Sequence, residues 1–113
     1  MYPRMTNSEI QEVRSHLASL EAMLQKRLAG SADDDALLEF RRLCWAALLL
    51  VDDAECQEQI DLLVQYAKEL FRGGEPPEGL KRKLSKAIAA CAARLETVEA
   101  GGYGKRWRDL RAA

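Results

Sequence analysis

Apolar residues in this chain recur at steps of three and four through four stretches, and each stretch is bounded by residues that start or stop a helix. The first runs from about residue 7 to 29. Ile10, Val13, Leu17, Leu20, Leu24 and Leu28 form a narrow, heptad-like stripe, which suits packing against a nearly antiparallel neighbour. Thr6 followed three residues later by Glu9 predicts a capping box at its start, and Gly30 is placed to end it.

The second helix is predicted over about 33–51. Asp33, Asp34 and Asp35 open it, where the helix dipole favours anions. Leu37, Phe40 and Cys44 give its first half an apolar face. From Leu43 to Val51 every position is apolar. A segment apolar all round is either wrapped by neighbouring helices or covered by a second subunit.

The third helix is predicted over about 53–72. No Gly or Pro separates it from the second, so one long helix is the competing reading. Two features favour a break at Asp52-Asp53. The run Asp52-Asp53-Ala54-Glu55 reads as an N-cap followed by an N3 acid. The stripe Cys56, Ile60, Leu63, Val64, Ala67, Leu70 and Phe71 would also be rotated by roughly 140° from that of the second helix on a continuous wheel. Gly73-Gly74 closes this helix. The fourth starts at Pro76-Pro77 and is predicted over about 77–100, with Leu80, Leu84, Ala87, Ile88, Cys91, Leu95 and Val98 on one face. Gly101-Gly102 ends it.

These elements predict an all-α, four-helix up-down bundle over residues 7–100, preceded by a disordered leader (1–6) and followed by a basic tail (101–113) in which a short helix would present Trp107 and Leu110 together. Met5 is an alternative start to Met1. A three-helix core with the first helix used for dimerisation is the competing architecture. At 113 residues the chain supports one core. The longest apolar run, Leu43–Val51, has nine residues, against the about 20 that a membrane span needs, so no membrane partner is expected. Cys44, Cys56 and Cys91 fall on apolar helix positions and form no Cys-x-x-Cys pair. They read as reduced core residues of a cytoplasmic protein.

Charge changes the picture. The net charge of −1 hides eight Lys/Arg against fifteen Asp/Glu in residues 1–79, and nine against three in residues 80–113. The acids are largely explained as helix caps. The bases are not: Lys81, Arg82, Lys83 and Lys86 open the fourth helix and Glu96 and Glu99 close it, the order that opposes the helix dipole. Lys105, Arg106, Arg108 and Arg111 surround Trp107 in the tail. Lys81, Arg82, Lys83, Lys86, Lys105, Arg106, Trp107, Arg108 and Arg111 are thus the candidate anion or nucleic-acid contacts. A solvated charged face is the plainer account of the helical group, and a sequence pI of 5.9 argues against strong non-specific nucleic-acid binding by the whole molecule.

No catalytic or metal motif is present. His16 has no converging partner by spacing, the Asp clusters lack the alternating calcium-loop pattern, and Gly101-Gly102-Tyr103-Gly104 lacks the Walker spacing. The expectation is a non-enzymatic protein with no cofactor. The apolar surplus points instead to an interface. Leu43, Trp45, Leu49, Leu50, Leu62 and Tyr66 are the candidate oligomer contacts, and the function expected is that of a small interaction protein, an adaptor or regulator, paired with itself as a homodimer or with another protein. The alternative is a nucleic-acid-associated regulator acting through the fourth helix and the tail.

Overall fold

A computed structural model describes residues 5–28, 34–71 and 78–100. Four helices account for nearly all of them: α1 (Asn7–Leu28), α2 (Asp34–Leu50), α3 (Ala54–Leu70) and α4 (Glu78–Glu99). The all-α four-helix fold is as the periodicity predicts. Gly30, Asp33, Gly73, Gly74, Pro76, Pro77, Gly101 and Gly102, read from the sequence as helix ends or starts, lie outside the described residues.

The helix starts that are described follow local chemistry. The Thr6 N–H donates to Glu9 Oε1 at 2.8 Å, and the Glu9 N–H donates to Thr6 Oγ1 at 3.1 Å, the reciprocal pair of a capping box. Thr6→Ala removes one half of it. We expect that variant to lose about 0.5–2 kcal/mol of stability, seen as a lower urea midpoint with unchanged slope. Met5, placed by the sequence in the leader, is buried in the core, an apolar side chain packed just ahead of the cap. Residues 1–4 lie outside the described part.

The break between α2 and α3 falls at Val51–Asp53. Asp53 is extended, with φ −150° and ψ 124°, and its carboxylate accepts the Cys56 N–H at 3.2 Å. The break follows from the two stripes, which a continuous helix would turn in different directions. With it, both stripes meet the same core: Phe40, Cys44 and Ala47 from α2 with Val51 just past its end, and Cys56, Ile60, Leu63, Ala67 and Leu70 from α3. Ile10, Val13, Leu17, Leu20 and Leu24 of α1 and the whole predicted stripe of α4 complete it.

α1 packs on α2 and α4, and α3 packs on α2 and α4. The three-helix alternative is thereby displaced: the α1 stripe is spent inside the bundle. Polar contacts give the directions. Asp53 meets Arg94 at one end of the α3–α4 pair and Tyr66 meets Lys83 at the other. Arg14 meets Glu99 and Glu21 meets Ser85 along α1–α4. Both pairs run antiparallel, which is compatible with an up-down bundle.

Candidate interaction surface

From the sequence, Leu43, Trp45, Leu49 and Leu50 are the outward candidates of α2. In the structure the helix has two opposed faces. Phe40, Leu43, Cys44, Ala47 and Val51 are buried. Leu38, Trp45 and Leu49 stand 64%, 57% and 87% exposed. At 100° per residue these three lie within a narrow sector, roughly opposite the buried set. Arg42 lies in the same sector and is exposed, and its guanidinium donates to Glu39 with Nε 2.8 Å from Oε2. Isolated exposed leucines are ordinary; three large apolar side chains aligned on one face are the kind of patch that marks an interface.

Of the predicted oligomer contacts, Trp45 and Leu49 are therefore on the surface. Leu43 is not: it is buried on the inner face of α2, and its place in an interface is corrected. Leu50, Leu62 and Tyr66 are half-buried and pack against the bundle's own core. Leu38 was missed. It falls seven residues before Trp45, and that spacing was the available signal.

The basic residues of α4 are placed as follows. Lys81 is half-buried, and Arg82, Lys83 and Lys86 are exposed. The Lys83 ammonium donates to the Tyr66 hydroxyl at 3.2 Å and stands 4.3 Å from the centre of that ring, a cation–π contact. Lys105, Arg106, Trp107, Arg108 and Arg111 lie outside the described residues. The antiparallel packing also decides which helix ends the charges of α4 lie beside. Its start lies beside the C-terminal ends of α1 and α3, whose dipoles are negative there and which carry Lys26 and Lys68. Its end, with Glu96 and Glu99, lies beside the N-terminal ends of α1 and α3, which carry Glu9 and Glu55. The charges of α4 oppose its own dipole and favour those of its two neighbours, but they stand beside side chains of their own sign; Glu99 meets an opposite charge in Arg14.

A second polar feature was not legible in advance. Asp53 is fully buried, and Arg94 grips it with two hydrogen bonds, Nε to Oδ2 at 3.0 Å and an Nη to Oδ1 at 2.8 Å. Glu55 approaches Arg94 at 3.5 Å from the solvent side. Burial pushes the Asp53 carboxyl up, but Arg94 and the Cys56 N–H outweigh it, so it lies below the usual carboxylate range. Next to it the Gln57 amide donates to the Val51 carbonyl at 3.1 Å, closing the C-terminal end of α2. This cluster ties the α2–α3 junction to α4. Its charged groups are spent on one another, which describes a structural clasp, while Gln57 Oε1 is buried without a hydrogen-bond partner.

Burial also governs the thiols. It pushes Cys44 up to about 12, and the contact with Cys91 together with burial pushes Cys56 up. Thiols held this way are poor nucleophiles at neutral pH. Among the described residues no three His, Cys, Asp or Glu side chains stand close enough to hold a metal ion, and no helix is long and apolar enough to cross a membrane. Among the described residues, the fold and surface define a small all-α domain with one outward apolar helix face. Set against protein-family models, curated proteins and solved structures, the chain matches none of them.

Proposed function

We propose that this chain is a small, non-enzymatic interaction protein, an adaptor or regulator in the cytoplasm, that works as a homodimer. The observation that carries the reading is the outward face of α2. Leu38, Trp45 and Leu49 are exposed on a helix whose opposite face already fills the core. Covering large apolar side chains is the main favourable term in association, and an aromatic at the centre of such a patch is the usual anchor. Three free buried cysteines suit a reducing compartment.

One substitution tests this. Trp45→Glu places a charge at the centre of the face without touching the core. The wild-type protein is expected to scatter light as a dimer at micromolar concentration, and W45E as a monomer with unchanged helical circular dichroism. A wild-type monomer would refute the homodimer.

The second reading, a nucleic-acid-associated regulator, draws on the lysines gathered where α4 starts. It is weaker because Lys83 is engaged by Tyr66. It requires binding that falls steeply with salt.

A further inference from the structure

The outer face of α2 is self-complementary, and the sense of its self-pairing can be read from its residues. This inference rests on the homodimer proposed above and adds the partner surface and its direction. Leu38, Arg42, Trp45 and Leu49 follow one another at steps of four, three and four, the spacing of a coiled-coil seam. The inner face of the same helix has the same spacing in Phe40, Cys44 and Ala47, continued by Val51 just past its end. α2 is thus built with two seams, one of which the bundle uses.

The outer seam reads nearly the same in both directions. About a midpoint between Leu43 and Cys44, Leu38 reflects onto Leu49 and Arg42 onto Trp45. Two copies of α2 laid antiparallel about a two-fold axis through that midpoint pair Leu38 with the partner copy's leucine at position 49, twice. They also place each Arg42 guanidinium over the indole at position 45 of the other copy. That layer is electrostatically matched, because an Arg over the face of a Trp is a favourable cation–π pair. Glu39 stays with Arg42 in its own helix and holds the guanidinium in place. A parallel pairing brings Arg42 against Arg42, a like-charge contact in an apolar seam, and aligns the two helix dipoles. The antiparallel arrangement also closes, since an isologous two-fold contact uses the same patch on both copies and leaves none over.

We infer that the chain pairs with a second copy of itself through α2 against α2, antiparallel, with Arg42 of each copy over Trp45 of the other. The Arg42–Trp45 layer fixes the register, and the two leucine layers close its ends.

Cysteine cross-linking of the full chain tests this. Leu38 and Leu49 are exposed, so Leu38→Cys and Leu49→Cys leave the core intact, and the three native cysteines are buried. Under mild oxidation, a mixture of L38C and L49C is expected to give a cross-linked dimer. Either variant alone is expected to give no more than wild type, because equivalent positions then lie about 16 Å apart along the seam, at about 1.5 Å per residue. If light scattering shows a dimer but L38C cross-links with itself, or the mixture does not cross-link, the antiparallel seam is wrong and the homodimer stands. If scattering shows a monomer, both fail. Arg42→Glu gives a second readout: a dimer weakened at least tenfold supports the Arg–Trp layer, and undiminished dimerisation overturns it.

Discussion

Replacing Arg94 with Met is expected to destabilise the fold by about 3–5 kcal/mol, the cost of leaving a buried carboxylate without its partner. Asp53 is fully buried, and the Arg94 side chain is only 15% exposed, so water cannot take over. The loss should appear as a large drop in the urea midpoint at neutral pH. A double variant separates the pair from the position. In Asp53→Ser with Arg94→Met, the serine keeps a cap acceptor for the Cys56 N–H and no buried charge remains. That variant should recover most of the loss, so the coupling between the two sites should be opposite in sign to the single-variant penalty and at least comparable to it in size. If R94M costs under about 1 kcal/mol, in the range of a surface ion pair, Asp53 is not held as described.

The same pair sets a pH dependence. The Asp53 carboxyl is depressed in the folded protein. Its contribution is therefore complete above the unfolded value of about 3.9 and is lost as pH falls below that, through the lower folded value. In R94M the carboxyl loses its charge partner and burial raises it. Protonation then relieves the variant, so its deficit relative to wild type should narrow as pH falls toward about 3. A deficit that stays constant with pH would place the energy of Arg94 in its packing.

Phe40→Ala is the second large effect expected, a loss of about 3–5 kcal/mol. Phe40 is fully buried, and its ring meets Phe71 edge-on, with centres 5.4 Å apart and planes at 62°. Truncation loses that contact and leaves a cavity between α2 and the end of α3. Leu49→Ser on the opposite face of α2 is the control. Measured in a W45E background to remove self-association, it should change stability by no more than about 0.5 kcal/mol. Equal costs at the two positions would mean that the inner and outer faces of α2 are wrongly assigned.

The two faces of α2 also show where sequence reading ends. Phe40 and Cys44 were legible as core from their spacing. Leu43 was not, because from Leu43 to Val51 every residue is apolar and periodicity carries no phase there. Leu43 was expected at an interface and is buried; Leu38 is exposed and lay in the part of the helix thought to be settled. Arg94 offered one faint signal, a base set between Cys91 and Leu95 on the apolar side of α4. Its meaning needs Asp53, 41 residues away, and the antiparallel register that brings them level.

The sequence by itself determined four helices, the Thr6–Glu9 cap, the break at Asp52-Asp53 and the stripes of α1 and α4. All of these rest on interactions within a few residues, which spacing records directly. Only the tertiary structure decided which face of α2 is left to solvent, which partner neutralises Asp53, and which helix ends the bases of α4 lie beside. Each of those depends on which helix ends and faces become neighbours, and neighbours distant in the chain leave no periodic trace in it.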